Sequence, residues 1–216
     1  MTTCYKLTNQ DNKTFGGCKW GEGVTHETSG EGGLCGPGWL HAYSNQLLAV
    51  FLNPIHAGIL EPRLWECVGE GECLDDRGLK CGFTRLTTVK EISLPEVTTE
   101  QRIAFAILCA MEVCGDPEWS TWADNWLRGN DRTETAARAA YWAADADLVA
   151  YWAAGAARAA AESACEAASE AASEAARAAA RAARAADWAA GEAADWAADV
   201  AADLDLISIA KKAMEY

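Results

Sequence analysis

Three histidines, His26, His41 and His56, lie near Cys18 and Cys35 in the N-terminal part of the chain, and these residue types can hold a metal, move a proton or attack carbon. A zinc site needs closely spaced ligand pairs. The nearest approach is Cys35 with His41, whose spacing fits no common zinc motif, so no metal is expected. Cys35 near a histidine has the makings of an activated nucleophile. No base and orienting group can be named for it, and the plainer reading is a thiol buried in a loop. The run Gly30-Glu-Gly-Gly-Leu-Cys-Gly-Pro-Gly38 resembles a phosphate-cradling loop in glycine content alone. It lacks both the Lys-Ser/Thr ending and a preceding strand, and no cofactor is expected. The sharpest ligand constellation is Trp39, His41, Tyr43, Arg63 and Trp65, which together suit a pocket for an aromatic or anionic small molecule.

The elements that must position these residues are short. Arg63 to Val68 and Val89 to Leu94 read as strands, with Asp75-Asp76-Arg77-Gly78 as a turn between extended segments, while Gln46 to Leu52 suits a helix or a strand. The texture changes after Pro95. Thr98 with Gln101 three residues on is a capping box, and the apolar run from Ile103 to Val113 predicts a buried helix. Asp116 as N-cap and Pro117 at the first helical position open another helix, whose Trp119, Trp122 and Trp126 form a packing seam closed by Gly129.

Alanine dominates residues 135–205, with pairs recurring about every 3.6 residues, the period of an unstrained helix. Alanine favours helix but buries little apolar surface, so its use is close backbone approach. One very long helix, or two or three nearly collinear ones, follows from this pattern, with Gly155 and Gly191 as its internal breakers. Trp142, Trp152, Trp188 and Trp196, together with Ala171 and Ala175, are then the expected contacts between copies of the chain. Glu162, Glu166, Glu170 and Glu174 precede Arg177, Arg181 and Arg184, a compensated and solvated helix face.

The formal charge is −14. Residues 1–130 carry 10 basic and 17 acidic groups and residues 131–216 carry 8 and 15, so each part contributes −7. Such a surface repels phosphate backbones and anionic lipid, arguing against nucleic-acid and membrane partners. Nine cysteines, an odd number with no Cys-x-x-Cys, and an N-terminus without a signal-peptide pattern fit buried thiols in a reducing cytoplasm.

Tyr5-Lys-Leu-Thr-Asn-Gln, Trp20-Gly-Glu-Gly-Val-Thr-His26, Leu34-Cys-Gly-Pro-Gly-Trp-Leu-His-Ala-Tyr43, Arg63-Leu-Trp-Glu66 and Leu86-Thr-Thr-Val-Lys-Glu-Ile92 resemble the N-terminal domain of a family of uncharacterised proteins common in phage and prophage genomes. The resemblance covers about residues 4–130. It implies a mobile-element origin and a small domain attached to variable C-terminal repeats, with no catalytic residues to carry over. The expected architecture is α+β: a β-rich head over 1–97, two helices packed on it over 98–130, and an alanine-rich helical assembly tail over 131–216. The expected function is non-enzymatic self-assembly into an oligomer or filament. The alternative is a module that sequesters a small host signalling molecule.

Overall fold

A computed structural model describes residues 1–144, 159–164, 175–200 and 204–216 of the chain. They fall into two compact units, Met1–Glu96 and Val97–Tyr216. The first holds strands β1 (Thr2–Thr8), β2 (Thr25–Glu27), β3 (Leu40–Ala42), β4 (Arg63–Asp75) and β5 (Cys81–Ile92), with helix α1 (Gln46–His56) between β3 and β4. All pairings are antiparallel, in the order β1-β4-β5-β2, with β3 also on β5. The β4–β5 hairpin turns where Asp75 Oδ2 accepts the Gly78 N–H at 2.9 Å, and Arg77 and Gly78 both take positive φ, which glycine adopts without strain.

Strand alternation sorts β1 into two sets, Cys4, Lys6 and Thr8 on one face and Tyr5 and Leu7 on the other. Cys4 stands opposite Cys67, and Lys6 opposite Trp65. Cys4 joins Trp20, Leu40, Ala42, Trp65, Cys67, Cys81, Phe83 and Leu86 in one buried cluster. Beyond β3, Tyr43 and Tyr5 exchange two main-chain hydrogen bonds of 2.8 Å. Strands β1, β4, β5 and β3 thus come round until the last meets the first over a single residue pair. Helix α1 is capped by Asn45, whose side chain accepts the Leu47 N–H at 2.8 Å, and it buries Leu48, Phe51 and Leu52 completely.

The second unit corrects the expected architecture. Its helices are α2 (Thr99–Met111), α3 (Pro117–Leu127), α4 (Glu134–Ala144), α5 (described over 159–164), α6 (Ala175–Val200) and α7 (Leu206–Ala213). The chain is a mixed α/β protein with helices spread along it, not a small head followed by one long helical tail. Both α6 and α7 pack on α2, and Gln101 Nε2 donates to the Met214 carbonyl at 3.1 Å, fastening the last turns to the first helix of the unit.

The physical reason lies in α2, where eight consecutive residues, Ile103 to Ala110, are buried. A helix apolar on every side needs neighbours on every side. The alanine face supplies one: Ala186, Ala190, Ala193, Ala194, Ala197 and Ala198 are buried within the chain itself. Helix α6 runs through Gly191 without a break, and the chain turns instead before Asp205, which caps α7 by accepting the Ser208 N–H at 3.0 Å. The capping box at Thr98 and the Asp116 cap are both formed, and Trp119, Trp122 and Trp126 are buried. Among the expected assembly contacts, Trp152, Ala171 and the side chains of Trp142 and Ala175 lie outside the described residues, as does Gly155. Trp188 is 54% exposed and Trp196 partly buried. No helix among the described residues is long and apolar enough to cross a membrane.

Candidate functional site

A cavity of about 310 Å³ in the first unit is lined by residues of β1, the end of β3, the C-terminal end of α1 and the glycine-rich loop, a size suited to a small ligand. Lys6, Cys35, His41, Tyr43, His56 and Lys80 supply its chemistry, and no carboxylate lines it. Their positions follow from the strands. Tyr5 and Tyr43 form a hydrogen-bonded pair, so alternation along an antiparallel ladder turns the main-chain groups of Leu7 and His41 toward each other two residues on. The ladder stops there. Lys6 Nζ donates to the His41 carbonyl at 2.7 Å, taking the place of a rung, and β1 and β3 part beside it.

Lys6 is more than nine-tenths buried, and its ammonium sits 4.5 Å from the centre of the Trp20 ring. Burial pulls it down from the usual lysine range to about 8, which leaves it mostly protonated at neutral pH. No carboxylate pairs with it among the described residues. Lys80 is differently held: Asp76 Oδ2 lies 3.5 Å away, and Nζ donates to Cys35 Sγ at 3.4 Å.

The two imidazoles are neutral at pH 7. Burial pushes His56 down to about 4, with the positive charge of Lys80 adding to the effect; its Nδ1 is buried without a partner, and its ring stacks on Tyr43 at 6.0 Å between centroids. Burial also lowers His41, whose Nε2 bonds the Leu34 carbonyl. Because a carbonyl only accepts, Nε2 carries the proton and Nδ1 is left as the basic nitrogen. Burial raises the Tyr43 phenol, so it keeps its proton at any ordinary pH. The site therefore offers an ammonium without a counter-ion, a second ammonium, neutral imidazoles and a phenol donor.

The five residues singled out from the sequence part company here. His41 and Tyr43 line the cavity, and the other three do not. Arg63 pairs with Glu91, bonds Asn12 Oδ1 and covers the Trp65 ring at 5.4 Å. Trp65 is buried and donates to Thr8 Oγ1 at 3.0 Å. Trp39 Nε1 donates to the Gly32 carbonyl at 3.0 Å, pinning the glycine-rich loop. That loop is built for approach to itself: a Cβ at Gly38 would stand 2.1 Å from the Glu31 carbonyl oxygen. In the sequence, His56 is weighed only with the other histidines as a metal ligand, and Lys6 and Lys80 are not singled out. Of the two lysines, Lys6 left a signal, as a charged residue at an inward position between Cys4 and Thr8.

The thiols follow the expectation of burial in the core and depart from it at the surface. Cys4, Cys67 and Cys81 are buried, pushed up to about 12 by burial, and donate to the carbonyls of Cys67, Trp65 and Ala42 at 3.8, 3.5 and 3.3 Å. Cys35, read as a buried loop thiol, is exposed, and so is Cys73. No group of three or more His, Cys, Asp or Glu among the described residues is placed to hold a metal ion. No family model, curated protein or solved structure matches the chain.

Proposed function

We propose that residues 1–96 form a binding module for a small anionic molecule with a planar or aromatic group. One observation carries this reading: a chain of formal charge −14 gathers two ammonium groups in a cavity lined by no carboxylate. Tyr43 and His56, already stacked, give a planar ligand an aromatic wall, and Lys6 and Lys80 neutralise its charge. Free thiols in the core suit a reducing compartment such as the cytoplasm.

Titration calorimetry with mononucleotides, inorganic phosphate and an uncharged nucleoside tests the proposal. Binding of the anions alone, weakened roughly tenfold by Lys80→Met, is the expected result, since a charge-assisted hydrogen bond contributes about 1.5–3 kcal/mol. Equal binding of the uncharged nucleoside, or no heat from any of them, counts against it.

Self-assembly is a second reading, supported by the exposure of Trp188 on α6. It predicts association at micromolar concentration in sedimentation, lost in Trp188→Ala.

A further inference from the structure

We propose that Lys6 is a covalent capture residue: its amine condenses with the carbonyl carbon of a small anionic aldehyde or ketone held in the cavity, forming a reversible imine. The inference rests on the reading of this cavity as an anion site and adds a bond-forming step to it.

The placement of Lys6 makes the case. Its side chain is more than nine-tenths buried, yet it lines a cavity large enough for a ligand. A lysine whose only task was to bind charge would be expected to meet a carboxylate; this one meets a main-chain carbonyl at 2.7 Å and an indole face. Neither holds the amine as an ion pair would, so it can lose its proton without breaking a salt bridge. Burial already shifts that equilibrium toward the free amine, as desolvation does in other nucleophilic lysines.

The groups for proton transfer stand around the same cavity. The neutral amine attacks the carbonyl carbon; a C–N bond forms as the C=O π bond breaks, giving a carbinolamine. A proton leaves nitrogen, another reaches the departing oxygen, and water is released as the C=N bond forms. No oxidant or reductant is consumed. Tyr43 keeps a phenolic proton to give, and His41 Nδ1, left unprotonated by the bond that Nε2 donates, can accept one. Lys80, held by Asp76, stays behind as the cation for the anionic end of the ligand.

The test uses pyridoxal 5′-phosphate and, as a smaller probe, glyoxylate, each trapped with borohydride and mapped by peptide mass spectrometry. The chain has seven lysines, and Lys13, Lys19, Lys90, Lys211 and Lys212 are exposed internal controls. The expected result is labelling of Lys6 at least tenfold above the exposed lysines at neutral pH, rising with a midpoint near 8. Lys6→Arg abolishes the label while keeping the charge. Pyridoxine 5′-phosphate, which has an alcohol in place of the aldehyde, reports binding alone, by calorimetry.

If pyridoxine 5′-phosphate binds but neither carbonyl probe favours Lys6, or if Lys80 takes the label, the imine is overturned and the anion site stands. If nothing binds and Lys6 stays unlabelled, both readings fall. Should Lys6→Arg not fold, the pH profile of labelling in the unaltered protein decides: a Lys6 midpoint matching the exposed lysines overturns the proposal.

Discussion

His56 carries a buried ring nitrogen without a partner, and this makes stability depend on pH with a definite sign. Its imidazole titrates at about 4 in the folded chain and near 6.5 when unfolded, so between those values the unfolded state binds more protons. Stability contributed at neutral pH is lost as pH falls from 6.5 to 4, by on the order of 2–3 kcal/mol. His56→Phe should flatten that part of a urea-denaturation profile, and an unchanged slope would show that another group is responsible. Lys6 gives a second dependence, on binding. An anion in the cavity favours the charged ammonium, so affinity for inorganic phosphate analogues that do not titrate, such as sulfate, should rise as pH is lowered through about 8. Calorimetry at pH 9 and pH 7 checks this, and Lys6→Met should remove the difference.

Among the helices, α6 makes the clearest mechanical prediction. Ala194 is fully buried, and Ala194→Leu would force extra methylene groups into a close-packed seam at a cost of about 1–3 kcal/mol, read as a lower midpoint in denaturant. Thr98→Ala should remove one half of the capping box on α2 and cost about 1 kcal/mol. Those caps were legible because capping is local: Thr98 with Gln101, and Asp116 before Pro117, act within four residues. The Asp75–Gly78 turn was legible for the same reason. The destination of the alanine face was not. Its period announces a close-packed seam, but nothing in residues 175–200 says whether the facing surface belongs to another copy or to α2. In the site, His41 and Tyr43 stand on one short segment and reach the cavity together. Arg63 and Trp65 stand on β4, which lends no residue to the cavity lining, and Glu91, Asn12 and Thr8 claim them. Lys6, His56 and Lys80 converge only through the meeting of Tyr5 with Tyr43 and the pairing of β3 with β5, contacts between distant segments that no spacing rule encodes.

The division at Glu96 and Val97 implies that the first unit has what it needs to fold by itself, since its sheet, α1 and the cavity all lie within Met1–Glu96. A fragment of residues 1–96 should show cooperative thermal unfolding and the same sulfate affinity as the full chain; a fragment without a transition would place part of its stability elsewhere. The pairing of β1 also bears on how the protein is made. β1 ends at Thr8, and its partner β4 is complete only at Asp75, while β4 and β5 are joined by a tight turn. At roughly 5–20 residues per second on a ribosome, the first strand waits about 3–13 seconds for its neighbour to be synthesised. During that wait Cys4 and Lys6 are exposed to the surrounding solution, with the thiol and amine open to cellular electrophiles that the finished fold excludes from Cys4. The local hairpin of β4 and β5 can form early, and β1 must close a loop of some 60 residues to reach it. The anion site is thus completed late, when β1 docks onto a hairpin synthesised well after it.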